Sequence, residues 1–91
     1  MLYVDDARER RRVMGRGGTW SHLFADSTAE LEAAMVRLHL RPAWVKARGT
    51  PAEYVEINEA TRTLAIEVGA HEVTWPAGVA PIVAAKSLEK L

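Results

Sequence analysis

Apolar and polar positions alternate with two different periods along this chain, and the switches between them mark out its elements. Leu2-Tyr3-Val4 is a short β-prone run halted by Asp5-Asp6, which predicts a first strand. WSHLFA, residues 20–25, alternates with period two, placing Trp20, His22 and Phe24 on one face and Ser21, Leu23 and Ala25 on the other. Both faces are partly apolar, so this strand is expected to be central. The period then changes. Ser27 followed by Glu30 makes a capping box, Leu31, Met35 and Leu38 fall at helical spacing, and Pro42 closes the helix. EYVEI, residues 53–57, reads as a strand, and Asn58 caps a second helix over 59–68. Its apolar stripe is Ala60, Leu64 and Val68, and Gly69 stops it. HEVTW, residues 71–75, is a further strand ended by Pro76, and Pro81 to Leu91 predicts a third helix with a thin polar face. AWVKA, residues 43–47, is a short edge strand or an extended segment.

Residues 6–19 hold no steady period. They end in GRGGT, with Gly15, Gly17 and Gly18 as breakers, and read as a long loop in which Ala7 to Val13 offers a short helix. Connections of that length in small domains tend to be functional or mobile. Strands and helices otherwise alternate, which predicts an α/β fold, with α+β open. The expected architecture is a small mixed β-sheet of about three to five strands with two or three packed helices. Residues 1–76 form the expected compact domain, and residues 77–91 a C-terminal helical extension.

Composition narrows the class. The chain has 91 residues, 48% hydrophobic and 26% charged, which suits one globular domain rather than a disordered segment. Without cysteine there is no disulfide framework and no thiolate zinc site, as suits a reducing cytosol. No apolar run approaches the roughly 18 residues a membrane span needs, and the N-terminus is acidic before it is basic, unlike a secretory signal. A cytoplasmic protein is expected. Net charge is zero, yet residues 1–50 carry nine Lys/Arg against six Asp/Glu and residues 51–91 carry three against six. The basic excess comes from Arg8, Arg10, Arg11, Arg12 and Arg16. A GC-rich genome accounts for choosing Arg over Lys but not for the clustering.

LYVDDAR near the start, WSHLFADS leading into the first helix, and RTLAIEVGAHEVTW up to residue 75 together resemble a small bacterial and phage family known as domain of unknown function 4031, DUF4031. The resemblance spans residues 1–75. It implies a compact α/β domain and draws attention to Asp5, Asp6, Trp20, His22 and Trp75. Members tend to carry His-Tyr-Asp where this chain has Tyr54-Val55-Glu56, so the implied histidine is replaced here. Residues beyond 76 are an addition that the resemblance does not explain.

YVDD also matches a polymerase signature in which paired carboxylates hold Mg²⁺. A two-metal polymerase, however, needs a third carboxylate and a palm far larger than this chain provides. A smaller site is the sharper reading. Asp5 and Asp6 end the first strand, where open α/β sheets bind ligands, with His22 on the second strand and Glu56 on a later one. Oxygen ligands and one imidazole suit Mg²⁺ or Mn²⁺, giving a divalent-metal phosphodiesterase or nuclease-like hydrolase using Asp5, Asp6, His22 and Glu56. The plainer reading has Asp6 capping the following turn, Asp5 paired with an arginine, and His22 as a hydrogen-bonded core histidine.

The leading expectation is a binding or accessory module. Clustered Arg8, Arg10, Arg11, Arg12 and Arg16 in a glycine-rich loop suit phosphate contacts with nucleic acid, or an acidic protein surface. The glycines match neither a P-loop nor a dinucleotide fingerprint. Trp20, Trp44 and Trp75 are most simply core mass, with Trp44, after a proline, the exception available to a partner. Self-association through the C-terminal helix is a third expectation.

Overall fold

A computed structural model describes residues 1–89 of the chain. Five strands form one mixed sheet: β1 (Leu2–Asp5), β2 (Glu9–Val13), β3 (Arg16–Ala25), β4 (Val55–Asn58) and β5 (His71–Val73). Three helices, α1 (Thr28–Arg37), α2 (Glu59–Glu67) and α3 (Val79–Glu89), complete it with a 3₁₀ turn at Pro42–Trp44. β3 is the organising strand. β4 pairs antiparallel along one of its edges, through Trp20–Asn58 to Leu23–Val55. β1 and β2 share the other edge in tandem, Leu2–Val4 against Leu23–Ala25 and Glu9–Val13 against Arg16–Trp20. β5 adds to β1 in parallel, the single parallel pairing among the named strands.

The arginine-rich segment is therefore not the loop, or the short helix, that its composition suggests. It is half of a hairpin. β3 begins at Arg16, four residues before its periodic part, and gives β2 a template along its whole length. Met14 and Gly15 form the two-residue tip with φ of 53° and 78°. Positive φ at both central positions is what a type I′ turn requires, and that turn matches the right-handed twist of the strands it joins. AWVKA is likewise not a strand. Pro42 starts a 3₁₀ turn, and only the single bridge Lys46–Tyr54 ties the segment to the sheet.

Alternation along β3 divides the sheet into two faces. Val4, Leu23, Ala25, Val55 and Ile57 lie on one, packed under Leu31, Met35 and Leu38 of the first helical segment and Ala65 of α2. Val4, Leu23, Leu31, Val55 and Ile57 are all at most 1% exposed, each adding about 1.5–3 kcal/mol of hydrophobic stabilisation. α1 starts as its sequence predicts: Ser27 Oγ accepts the Glu30 N–H at 3.2 Å, and the hydroxyl donates to Glu30 Oε1. α2 starts at Asn58, whose Oδ1 accepts the Thr61 N–H at 2.9 Å. Its stripe differs from expectation. Leu64 is 49% exposed, whereas Arg62 and Ala65 are buried. α3 begins at Val79, and residues 90 and 91 of the expected extension lie outside the described residues.

Candidate functional site

Between β1 and β2 the strand edge carries surplus chain. Four residues, Asp5 to Arg8, stand opposite only Ser21 and His22 of β3. This bulge leaves backbone donors without ladder partners, and side chains take them. Asp5 Oδ1 accepts the His22 N–H at 3.0 Å and the Ala7 N–H at 3.1 Å, while Ser21 Oγ accepts the Arg8 N–H at 3.1 Å. Asp5 is thereby fully buried, and its second oxygen, Oδ2, lies 2.6 Å from His22 Nδ1. The carboxylate accepts and Nδ1 donates across this contact. Nε2 has no protein hydrogen-bond partner among the described residues.

Arg62 backs this pair from α2. Its Nε donates to the Asp5 carbonyl at 2.9 Å, and Nη2 reaches Glu72 Oε1 at 3.2 Å. Around His22 the sheet is aromatic. Trp75 lies over its ring at a centroid distance of 4.4 Å, and Tyr54 meets it edge-on at 5.1 Å. Asp6, adjacent to Asp5, accepts the Trp75 N–H at 2.6 Å and so ties the tryptophan over the histidine. The chain turns into α3 immediately afterwards. Gly78 is needed there, because a Cβ would stand 2.7 Å from the Thr74 nitrogen. α3 then brings Val79 and Val83 against the same face, closing a cavity of about 210 Å³ with His22, Phe24, Tyr54 and Trp75. Lys86 anchors the helix by donating to the Ala25 carbonyl at 2.6 Å.

The four candidates for a cation do not converge. Asp5 and His22 meet, but Asp6 is taken by the Trp75 amide, and Glu56 is engaged elsewhere although it stands opposite His22 in register. Glu56 is buried, with Oε1 held by Arg11 Nη2 at 3.1 Å and Lys46 Nζ at 3.5 Å. Among the described residues, no three His, Asp or Glu side chains are placed to hold a metal ion. Mg²⁺ or Mn²⁺ coordination by Asp5, Asp6, His22 and Glu56 therefore lacks its donor set. The cause is local: the bulge directs Asp5 and Asp6 to opposite tasks. Asp5 also meets a histidine rather than the arginine that the plainer reading supplied.

The arginines separate into two groups. Arg8 pairs with Glu59 at 3.3 Å, and Arg11 with Glu9 at 3.2 Å and with Glu56. The Glu56 hydrogen bond raises the Arg11 pKa above its ordinary value. Arg12 donates to the Gly15 carbonyl at the hairpin tip, and Arg10, Arg12 and Arg16 have no carboxylate partner among the described residues. Alongside the hairpin, from Met14 at its tip to Trp20 at its base, lies a groove of about 510 Å³, lined also by Arg16, Arg41, Trp44, Lys46 and Glu56. Arg41 sits 5.7 Å from the Trp44 ring centroid. Trp20 is buried and donates to the Arg11 carbonyl at 3.0 Å. Trp75, at 42% exposed, rather than Trp44 is the most open of the tryptophans.

The sequence drew attention to Asp5, His22 and Trp75, which the structure brings together, but not to Arg62, Tyr54 or the α3 valines as their neighbours. Arg62 had one available signal, a lone arginine three residues before Ala65 on a short helix. The structure defines a small α+β domain: a mixed five-stranded sheet with helices on it and an aromatic cavity over a buried Asp–His pair. The chain belongs to the family described as protein of unknown function, DUF4031, whose model matches residues 2–85 and so runs past Pro76 into α3. No curated protein and no solved structure matches the chain significantly. No helix among the described residues is long and apolar enough to cross a membrane.

Proposed function

We propose that this protein is a cytoplasmic nucleic-acid-binding accessory module that grips a phosphate backbone through the β2–β3 ribbon. One observation carries the reading: Arg10, Arg12 and Arg16 stand on a two-stranded ribbon without carboxylate partners, while Arg8 and Arg11 are neutralised by Glu59 and by Glu9 and Glu56. Charged side chains also guard an open sheet edge against pairing with other chains, and β2 is such an edge. That role asks for charge of either sign. It does not ask for three uncompensated guanidinium groups along one ribbon, each with the fork geometry that phosphate oxygens fit. An acidic protein surface would meet the same charges. Nucleic acid is favoured because the adjoining groove adds tryptophan and more cations, the combination that tracks a backbone beside stackable bases.

The test is affinity for a short oligonucleotide as a function of salt. Neutralising Arg10, Arg12 and Arg16 together should flatten the log–log salt dependence by about 2 for a single strand, from three lost contacts at roughly 0.7 each. An unchanged slope and affinity would end this reading.

A further inference from the structure

We infer that the groove beside the hairpin recognises a guanine nucleotide through Glu56; this deepens the nucleic-acid reading and rests on it for a strand as the source of that nucleotide. The observation behind it is a polar atom that the fold does not use. Glu56 is 7% exposed and lines the groove, yet only one of its oxygens is engaged. Oε1 meets Arg11 Nη2 at 3.1 Å and Lys46 Nζ at 3.5 Å. Oε2 is buried and has no hydrogen-bond partner among the described residues. A carboxylate kept only to tie the hairpin to β4 would use both oxygens or leave the spare one in water, because a buried acceptor left unmet is destabilising. The spare oxygen calls for a donor from outside the chain.

The surroundings select that donor. Arg11 and Lys46 already balance the Glu56 charge, so a neutral N–H is wanted rather than a third cation. Arg16 and Arg41 also line the groove without a carboxylate partner among the described residues, so the ligand carries an anion as well. Trp20 and Trp44 give aromatic walls, and about 510 Å³ falls within the roughly 300–1,000 Å³ of small-molecule sites. A nucleotide combines these features, and one base fits the order of donors and acceptors. A carboxylate paired with cations only accepts, and here an ammonium donor stands beside it. Guanine presents the complement along one edge, its O6 acceptor followed by the N1–H and N2–H donors. Lys46 is 51% exposed and its contact with Oε1 is long. As it turns from Oε1 to O6, N1–H takes its place and N2–H reaches Oε2. Adenine would set a ring acceptor against the carboxylate instead. Arg16 shares a face of β3 with His22, which stands opposite Glu56, and lies six residues away, about 20 Å at roughly 3.3 Å per residue. A base, sugar and phosphate cover that interval with the arginine side chain extended. Arg10 and Arg12 pair with Thr19 and Gly17 on the opposite face and take no part in the groove.

Three mononucleotides test this on the wild-type protein, with no variant that must fold. Calorimetry should give guanosine 5′-monophosphate an affinity about tenfold or more above inosine 5′-monophosphate, which lacks only the 2-amino group and so leaves Oε2 unmet. Adenosine 5′-monophosphate should bind more weakly still. Glu56→Gln should bring the guanosine and inosine nucleotides to similar affinity. A thymine octanucleotide carrying one guanine, set against one carrying one inosine, assigns the source: the same preference there places the guanine in a strand, and equal affinities there make it a free nucleotide. No binding, equal affinities for the guanosine and inosine monophosphates, inorganic phosphate held as tightly as either, or a Glu56→Gln protein that keeps the preference would overturn the site. The ribbon fails separately. If neutralising Arg10, Arg12 and Arg16 leaves the salt slope of octamer binding unchanged while the wild-type protein prefers the guanosine nucleotide, the ribbon reading falls and the guanine site stands. A flattened slope without that preference keeps the ribbon and removes the guanine site.

Discussion

The two faces of this one sheet are built by opposite rules. On the face under α1 and α2, Val4, Leu23, Val55 and Ile57 are buried because water is excluded from hydrocarbon, and each is replaceable by another apolar group of its size. On the other face Asp5 is as deeply buried as Leu23, but it is there because the bulge supplies three donors to its two oxygens. The first face tolerates chemistry and punishes loss of volume. The second tolerates loss of volume and punishes loss of a partner.

The largest effect that separates them is truncation. Leu23→Ala should cost about 2–5 kcal/mol in urea unfolding, the range for an aliphatic side chain removed from a closed core. Val83→Ala on the other face should cost less, about 1.5 kcal/mol at most, since only two methyl groups at roughly 0.8 kcal/mol each leave a partly buried position. Similar losses at the two positions would erase the distinction. Next in size is Asp5. Asp5→Ala strands two backbone N–H groups and His22 Nδ1–H, at about 1–3 kcal/mol for a buried donor left unmet. Asp5→Asn keeps the Oδ1 acceptor and should cost less. It presents an amide N–H to the ring, so Nδ1 should lose its proton, which ¹⁵N spectra report directly. An Nδ1 that stays protonated in Asp5→Asn would refute its assignment as the donor to Asp5.

How legible these faces were follows the same division. Strand and helix periods expose the hydrophobic face, so Trp20, His22 and Phe24 fell on the correct side of β3, and Ser27 with Leu31, Met35 and Leu38 defined α1. What escaped depended on partners distant in sequence. ERRRV has no alternation and becomes a strand only because β3 offers an edge and Met14-Gly15 turns the chain with positive φ, where an Asn-Gly pair would have announced it. Leu64 was the natural choice for the α2 stripe on hydrophobicity, but the helix is rotated to bury Arg62, which has the Asp5 carbonyl to hold. The Asp5–His22 contact arises from two surplus residues in a bulge, and no local pattern encodes those.

A smaller stability effect is expected at the ribbon, and it tests whether the hairpin belongs to either face. Arg10, Arg12 and Arg16 make no ion pair among the described residues, so replacing all three by alanine should move the unfolding free energy by about 0.5 kcal/mol or less. Oligonucleotide binding should nevertheless change strongly. A large loss of stability would instead make the arginines part of the sheet's own packing.

The smallest expected effect comes from pH, and only the polar face should register it. Tyr3 stacks on Phe24 at 5.2 Å and donates its hydroxyl to Asp26 Oδ1 at 3.0 Å. Burial first, then the bond to Asp26, raises its pKa above the ordinary value of 10.0, with the Asp26 and Glu30 charges adding to the shift. Because the folded state holds the proton more tightly than the unfolded chain, this contribution is complete below the unfolded pKa. It is lost as pH rises through the higher folded value. Between pH 8 and about pH 11 the wild-type urea midpoint should therefore fall further than that of Tyr3→Phe, which lacks the titrating hydroxyl. Parallel falls would place the alkaline sensitivity elsewhere. A Tyr3→Phe chain that still lost stability at the wild-type rate would show that the hydroxyl of this face, though bonded and shielded, does not couple its proton to folding.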